Sequence, residues 1–287
     1  MAILVDDALL TAAIRMPLVE KWIETDIPFE VRTGLRAADV GAGDVALIAS
    51  PESTLLAATH IVASEVAVVV EGISPIVMRT PVRPDEIEAT PIRLLNVSGP
   101  AEMLIRALLK PFYGITASSA QFITADDDPN AAKAQVVVIE GLEALQAPES
   151  GFQSDLAQAW YILTGSYFVS HVVVVGLEAQ ARGLADPAIA ILKAAAAMGV
   201  ERRREVRGLI VGASDGEDVE GDAGGSAVDR DKLAEMTNNL SYTLDADDQR
   251  SLLNMIARGS WGSRYPQRNP VFRDDLPPVV RDGEVKA

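Results

Sequence analysis

The segment from Asp155 to Gly176, DLAQAWYILTGSYFVSHVVVVG, restricts the possible folds more than any other part of the chain. Apolar side chains recur at helical spacing in its first half, which predicts a helix with one face against a core. Thr164-Gly165 follows, and glycine tolerates the left-handed conformation in which many helices end. Tyr167 to Val175 is apolar at both alternating sets of positions, which indicates a strand buried on both faces. Such a strand belongs inside a parallel or mixed sheet that helices cover on both sides.

The N-terminal sequence alternates predicted strands and helices. Ile3 to Val5, Phe29 to Val31 and Val45 to Ala49 are predicted strands, and Ser50-Pro51 is suited to begin the next helix. This alternation predicts a parallel sheet with helices on both faces. A second block of strands and helices lies between residues 92 and 139. We therefore predict an α/β fold of two lobes, with mixed sheets flanked by helices and the second lobe inserted in the first.

The positions of proline suggest where the lobes meet. Thr80 to Pro84 reads TPVRP, a stiff and exposed stretch that suits a crossing between lobes. We assign residues 1–85 and 175–258 to the first lobe, residues 86–174 to the second, and residues 259–287 to an irregular C-terminal tail. Residues 212–231 are rich in Gly, Asp and Glu and predict a solvated loop.

The composition narrows the classes of function. Of 287 residues, 48% are hydrophobic and 23% are charged, whereas the formal net charge of −16 disfavours binding to nucleic acid or to anionic lipid. The chain has no cysteine and only two histidines, His60 and His171, so we expect no disulfide, no thiolate nucleophile and no metal site. It has no phosphate-binding loop and no Gly-x-Gly-x-x-Gly motif, and we expect no cofactor.

The expected partners and location follow from the same features. The start, MAILVDDALL, lacks the basic region of a secretory signal, and no apolar run reaches the roughly 18 residues of a membrane span. We expect a cytoplasmic protein, monomer or homodimer, that binds a small anionic ligand and neither nucleic acid nor membrane. Because the overall field is negative, a dipole-lined or locally positive pocket must hold that ligand.

Four stretches occur in the order found in a known family: Gly43 to Ser50, Gly72 to Met78, Asp155 to Val169, and Leu240 to Leu244. On these stretches the chain resembles the menaquinone-biosynthesis enzymes of the futalosine route, above all chorismate dehydratase and less closely dihydroxynaphthoate synthase. The resemblance implies the type II periplasmic-binding-protein fold, with a ligand enclosed between two lobes.

Three motifs of that family differ in this chain. The early Tyr-Leu-Asn before a Pro-Leu pair corresponds to AAIRMPL over Ala12 to Leu18, which lacks the Asn. The Ser-x-Thr-Ser of the dehydratases, at a helix N-terminus, corresponds to SGPA over Ser98 to Ala101 and keeps one hydroxyl of three. Their Ile-Gly-Asp turn corresponds to Ile139-Glu140-Gly141, where the naphthoate synthases have a catalytic His followed by Glu. Glu140 is kept, and Ile139 occupies the position of that His.

The main candidate site residues are Glu140, Ser98 and Gly99. Glu140 ends a predicted buried strand on the cleft side, where a carboxylate is a candidate general base with a pKa raised by desolvation. It is equally compatible with a surface carboxylate or a helix cap. Ser98 and Gly99 would present a hydroxyl and backbone N–H groups to a ligand carboxylate, or would only begin a helix.

Further candidates for substrate binding have ordinary structural alternatives, namely turn chemistry for the small residues and solvation for the arginines. They are Ser50, Ser74, Thr164, Gly165, Arg15 and Arg79. His171 is interpreted as a hydrogen-bonded core histidine rather than a site residue. His60, placed at the end of an apolar helix, is interpreted as structural.

Two functions of different classes follow. By resemblance, the protein is an enzyme, a hydro-lyase, that removes water from chorismate to give 3-[(1-carboxyvinyl)oxy]benzoate for menaquinone. Alternatively, it is a non-catalytic binding protein of the same fold for a small carboxylate or aromatic acid, which the missing Asn, Thr and Asp favour.

Overall fold

The chain forms two mixed β-sheets flanked by helices, and it leaves the first sheet for the second and then returns. The computed structural model describes residues 1–94, 97–124, 131–148, 150–215 and 228–275. Its strands in chain order are β1 (Ile3–Asp6), β2 (Phe29–Arg32), β3 (Val45–Ala49), β4 (His60–Val70), β5 (Ile76–Thr80), β6 (Ala89–Leu94), β7 (Thr116–Ile123), β8 (Val136–Glu140), β9 (Phe152–Asp155), β10 (Phe168–Gly176) and β11 (Leu240–Ser241). Its α-helices are α1 (Ala12–Val19), α2 (Ser53–Leu56), α3 (Gly99–Leu108), α4 (Leu156–Thr164), α5 (Leu177–Ala181), α6 (Ala185–Glu201), α7 (Arg203–Asp215), α8 (Arg230–Asn238) and α9 (Ala246–Gly259).

The first sheet has the strand order β11-β4-β10-β3-β1-β2. Strand β1 pairs in parallel with β2 and β3, as the N-terminal alternation of strands and helices predicted. Strand β10 runs antiparallel between β3 and β4, and every one of its residues is buried. The prediction of a strand covered on both faces is confirmed.

The second sheet has the strand order β7-β6-β8-β5-β9. Strand β6 pairs in parallel with β7 and β8, whereas β5 pairs antiparallel with β8 and β9. All five strands come from the part of the chain between β4 and β10. The second lobe is therefore inserted in the first, as predicted.

The sheets place the crossings between lobes earlier in the chain than the proline pattern suggested. Strand β5, assigned to the first lobe by sequence, pairs in the second sheet, and β10, assigned mostly to the second lobe, lies in the first. The crossings are thus residues 71–75 and the connection from β9 through α4, rather than the predicted lobe boundaries at residues 85–86 and 174–175. The stiff segment Thr80 to Pro84 instead forms a turn beside the second sheet, where the hydroxyl of Thr80 donates to the carbonyl of Val82 at 2.7 Å.

One carboxylate joins the two crossings. The backbone N–H and the hydroxyl of Ser74 donate to the two oxygens of Asp155, at 2.6 and 2.9 Å. The same carboxylate accepts the N–H groups of Ala157 and Gln158, and so it is also the N-cap of α4. Helix α4 ends at Gly165, which adopts φ = 71° and confirms the predicted stop. Asp155 thereby ties the exit from the first lobe to the return path.

The C-terminal segment, residues 260–275, is irregular as predicted, but it is packed rather than free. Tyr265 and Phe272 are 2% and 4% exposed. Phe272 forms a parallel bridge with Val62 of β4, and Arg273 pairs with Glu65 at 2.8 Å and with Asp186 of α6. This segment therefore completes the edge of the first lobe.

Some local predictions were wrong or fall elsewhere. His60 begins β4 instead of ending a helix, and its ring nitrogens contact Thr59 Oγ1 and the Gly41 carbonyl. Helix α7 continues through Asp215 into the predicted loop 212–231, of which residues 216–227 lie outside the described residues. Residues 125–130, which include a stretch from Asp126 to Asn130 that the sequence predicts as an acidic turn, and the tail beyond 275 also lie outside them. Within the described ranges, no helix has the length and apolar character to span a membrane.

Candidate functional site

The candidate site lies where strands of both sheets carry polar side chains at their carboxyl-terminal ends. In the first sheet, Asp6 ends β1, Ser50 follows β3, and His171 lies opposite Ala49 on β10. In the second, Glu140 ends β8 and Ser98 precedes α3. In open α/β sheets, ligands bind outside the carboxyl ends of the parallel strands. Asp6, Ser50 and Glu140 lie at or directly after the carboxyl ends of β1, β3 and β8.

Glu140 and Ser98 form the second-lobe half of this site. The Ser98 backbone N–H donates to Glu140 Oε2 at 2.6 Å, and the Ser98 hydroxyl donates to Oε1 at 2.8 Å. Gly141 directly follows with φ = 94°, which ends the strand and leaves the carboxylate at its edge. The Ser98 hydroxyl also caps α3 by accepting the N–H of Ala101 at 3.4 Å. The N–H and the hydroxyl of Ser98 are therefore engaged by the protein's own carboxylate.

Burial is the main influence on the Glu140 carboxyl. Loss of solvation raises its pKa, and the two hydrogen bonds from Ser98 act in the opposite direction. The positive charge that His171 can carry lowers the pKa of Glu140, and the negative charge of Asp6 raises it. Glu140 therefore lies within electrostatic reach of both first-lobe residues.

Asp6 and His171 form the first-lobe half of the site. His171 Nε2 lies 3.3 Å from Asp6 Oδ2, and the backbone N–H of Leu35 donates to Asp6 Oδ1 at 3.0 Å. The other ring nitrogen, Nδ1, lies 3.1 Å from the hydroxyl of Ser170. Asp6 is 6% and His171 1% exposed. The interpretation of His171 as a hydrogen-bonded, buried histidine agrees with these contacts, but its partner is a site carboxylate.

A second polar group lies beside the first residue of α3. The Tyr265 hydroxyl is so close to Gly99 that a Cβ there would lie 2.1 Å from it. This hydroxyl contacts Glu52 Oε1 at 3.1 Å, and Arg264 Nη2 contacts the same oxygen at 2.6 Å. Burial and the charge of Glu52 raise the pKa of Tyr265, so its proton is retained. Glu52 follows β3 in a short 3-10 turn, so this group joins the two lobes through the C-terminal segment.

The structure gives two predicted serines other partners. Ser50 is fully buried, and its hydroxyl donates to the Val169 carbonyl at 2.8 Å. The Ser74 hydroxyl lies between Asp155 and the Ile76 carbonyl. Both residues therefore lie close to the site or to the crossings, with their hydroxyls already engaged.

The remaining predicted residues contact groups outside the Glu140 cluster. Arg15 pairs with Asp7 at 2.9 Å. Arg79 donates to the side chains of Gln153 and Glu143 within the second lobe. The Thr164 hydroxyl donates to the carbonyl one helical turn earlier, and Gly165 forms the C-cap of α4. Of the predicted set, the structure brings together Ser98, Gly99 and Glu140.

Sequence reasoning did not select Asp6, Glu52, Arg264 and Tyr265. Asp6 at the carboxyl end of the first predicted strand was a usable signal, because that end faces ligands in α/β sheets. Tyr265 lies in a segment without periodicity, where no pattern separates packed from free side chains. Across the described ranges, no three His, Cys, Asp or Glu side chains are grouped so that they could hold a metal ion.

Solved structures with the same arrangement of lobes define the class of protein. AF1704 from Archaeoglobus fulgidus aligns with a TM-score of 0.58 at 11% identity, over 91% of this chain and 97% of that one. The periplasmic aliphatic sulphonate binding protein SsuA from Escherichia coli aligns with a TM-score of 0.56 at 12% identity, over 99% and 97%. The ligand binding component of an ABC-type import system from Staphylococcus aureus gives 0.56 at 11% identity, over 96% and 95%. At these identities the likeness establishes the fold, which is that of periplasmic-binding-protein-like proteins.

Within that class, the chain belongs to the menaquinone biosynthesis family, whose sequence pattern matches residues 22–260. The match includes Ser98 and Glu140 and excludes Asp6 and Tyr265. No curated protein matches the sequence. A role in menaquinone biosynthesis is thus the function that family membership indicates.

Proposed function

We propose that the protein is a hydro-lyase of menaquinone biosynthesis that removes water from chorismate, with Glu140 as a proton-transfer group. The observation that carries this proposal is the position of Glu140, at the ligand-facing end of β8, with a pKa that burial raises. A carboxyl group whose pKa lies closer to neutrality can both accept and donate a proton during turnover.

The chemistry fits the pathway that the family serves. Loss of water from chorismate makes its ring aromatic and needs proton transfers rather than a redox cofactor. Closure of two lobes would exclude solvent and strengthen the polar contacts around the ring. The guanidinium of Arg264 contacts the Tyr265 hydroxyl, which lies beside Gly99, and it would be a positive group for a substrate carboxylate, although it is shared with Glu52.

The test is turnover of chorismate by the purified chain, with chromatography to detect the benzoate product. Glu140→Gln should lower the rate about a hundred- to ten-thousand-fold, the usual contribution of a positioned acid or base. Glu143→Gln is the matched control, because Glu143 is an exposed carboxylate three residues later that pairs with Arg79. Product formation that survives Glu140→Gln would remove the assigned role of Glu140.

A non-catalytic binding protein is the second candidate. It is favoured by the engagement of both Glu140 oxygens with Ser98, because a carboxylate held in this way serves as a structural partner of the helix start rather than as a free proton-transfer group. Calorimetry against chorismate separates the two functions when it is combined with the product assay. Saturable binding without product would support the binding protein and exclude the enzyme. A cytoplasmic location and a monomeric or homodimeric state stay predictions from the sequence.

A further inference from the structure

Asp6 is a buried carboxylate that precedes the residues matched to the family, and both of its oxygens have partners. Its two oxygens contact Leu35 N–H at 3.0 Å and His171 Nε2 at 3.3 Å. The Thr11 hydroxyl donates to the Asp6 carbonyl at 2.6 Å and fixes the turn after β1. These contacts fix the orientation of the carboxylate. It lies at the carboxyl end of β1, and in open α/β sheets ligands bind outside such strand ends.

We propose that Asp6 is the second proton-transfer residue of the site and acts as the base opposite Glu140, which acts as the acid. His171 is the positioning residue that holds the Asp6 carboxylate. The inference rests on the proposed hydro-lyase function and deepens it, because it assigns the two halves of the water elimination to the two lobes.

The two carboxylates are held by different groups. Asp6 lies between the Leu35 N–H and His171 Nε2, whereas Glu140 accepts the N–H and the hydroxyl of Ser98. Burial is the largest influence on the pKa of Glu140 and raises it, against the two hydrogen bonds from Ser98, and the negative charge of Asp6 acts in the same direction as burial. Paired carboxylates in unlike surroundings commonly divide into a base and an acid.

The elimination is balanced with these two groups. Asp6 takes a proton from the ring carbon that bears the enolpyruvyl ether, and the electron pair of that C–H bond forms the new ring double bond. The C–O bond of the adjacent hydroxyl breaks, and Glu140 gives its proton to the departing oxygen to form water. Asp6 is left protonated and Glu140 ionised, and a proton returned through solvent restores the starting state.

A bulge in β10 orients His171 toward Asp6. Val169 pairs with Val69 and His171 pairs with Val68, so Ser170 is an additional residue in this strand. Bulges of this kind re-aim side chains and are frequent beside active sites. The Ser170 hydroxyl contacts both His171 Nδ1, at 3.1 Å, and the Val68 carbonyl, at 3.2 Å. Because Nδ1 is engaged there, Nε2 is directed at the carboxylate.

The charged groups around Asp6 come from three elements. His171 of β10 contacts it, and the charge of Asp6 acts on Glu140 of β8. The neighbouring carboxylate in the chain, Asp7, is paired with Arg15 of α1. No ion pair in the described ranges joins Asp6 to an arginine or a lysine.

The experiment compares the pH dependence of chorismate turnover in the intact chain and in single variants. Asp6→Asn should lower the rate about a hundred- to ten-thousand-fold. Its residual rate should no longer fall at low pH, because no base remains to be protonated, whereas the residual rate of Glu140→Gln should no longer fall at high pH. Asp44→Asn is the matched control, because Asp44 also accepts backbone N–H groups but precedes β3, at the opposite end of the strands from Asp6. It should keep the wild-type profile.

The positioning role of His171 has its own readout. His171→Leu removes the donor to Asp6 and should move the low-pH limb of the profile to higher pH. His171→Gln can still donate an N–H group and should restore the position of the limb. His60→Gln, which changes the other histidine of the chain, should leave the profile unchanged. If His171→Leu leaves the low-pH limb in its wild-type position, the positioning role is overturned.

A titration of the unliganded protein separates failure of this inference from failure of the proposed function. With Glu140 assigned through Glu140→Gln, ¹³C spectra of the carboxyl groups should show Glu140 titrating at lower pH in Asp6→Asn than in wild type or Asp44→Asn. If Glu140 titrates at the same pH in Asp6→Asn as in wild type, the two carboxylates do not face each other and the inference is overturned. Wild-type protein that forms no product overturns the proposed function and with it both catalytic roles. Product formation with equal rates for Asp6→Asn and Asp44→Asn overturns this inference alone.

Discussion

The Asp155 carboxylate makes two contributions to the free energy of unfolding, one by capping α4 and one by binding Ser74, and substitutions at position 155 should separate them. Asp155 caps α4 through the N–H groups of Ala157 and Gln158, and it accepts both donors of Ser74 across the two crossings. Serine at position 155 keeps one oxygen that can cap the helix but has no counterpart of Oδ2, which accepts the Ser74 N–H. Asp155→Ser should therefore lose this bond of the tie and keep the cap, whereas Asp155→Ala loses the cap and the whole tie.

The expected magnitudes follow from the number and kind of bonds. Loss of an N-cap costs about 1 kcal/mol of unfolding free energy. Leaving the Ser74 N–H without Oδ2 costs about 1–3 kcal/mol. Asp155→Ser should then lose about 1–3 kcal/mol and Asp155→Ala about 1 kcal/mol more. Ser74→Ala, which removes the hydroxyl alone, should lose about 1 kcal/mol.

Urea unfolding followed by the fluorescence of Trp160 measures these differences. Trp160 is on α4, is fully buried, and donates its indole N–H to Ser251 of α9 at 2.9 Å. Replacing Trp22 and Trp261 by Phe isolates its signal, and circular dichroism of each folded variant checks that the helices remain.

Two results would refute the reasoning. Equal stability of Asp155→Ser and wild type would mean that the bonds to Ser74 contribute nothing. Equal stability of Asp155→Ser and Asp155→Ala would mean that capping contributes nothing. In the double variant Asp155→Ser with Ser74→Ala, the losses should fall short of their sum, since both weaken the same contact between residues 74 and 155.

Two further predictions concern other buried groups. Gly99→Ala should destabilise the protein by about 1–3 kcal/mol, because its Cβ would overlap the Tyr265 hydroxyl, and adding Tyr265→Phe should relieve part of that loss; losses that simply add in urea titrations would contradict the overlap. Burial raises the pKa of Asp248 from 3.8 to about 6, so the folded state holds a proton that the unfolded chain releases, and stability falls as the pH rises through this range. Asp248→Asn should therefore be more stable than wild type at pH 7, by about 1 kcal/mol once solvent screening is allowed for, and no more stable at pH 4. A gain that is the same at both pH values would point to a cause other than this carboxyl.

The sequence pattern predicted strands β1, β2, β3, β8 and β10 and helix α4, and it placed Glu140 at the end of its strand correctly. It failed at the crossings because sheet membership depends on pairing between distant strands. Proline-rich Thr80 to Pro84 suits a lobe boundary and a surface turn equally well, and only the pairing of β5 with β8 and β9 distinguishes them.

The site was only half visible in the sequence for a related reason. Ser98 and Glu140 lie at a helix start and a strand end, positions that patterns reveal. The contact between Asp6 and His171 joins residues 165 positions apart, and it depends on β10 entering the first sheet with a bulge. Local chemistry at either residue does not contain that information.

The insertion of one lobe in the other also sets an order of assembly during synthesis. The strands of the second sheet are all contributed before α4, so their pairing can be complete while the ribosome is still adding the return path. Strand β4, by contrast, must wait for β10, then β11, and finally Phe272 to cover it. Until then its apolar edge is open to other chains. Nascent chains halted before β10 should accordingly be the ones that chaperones retain.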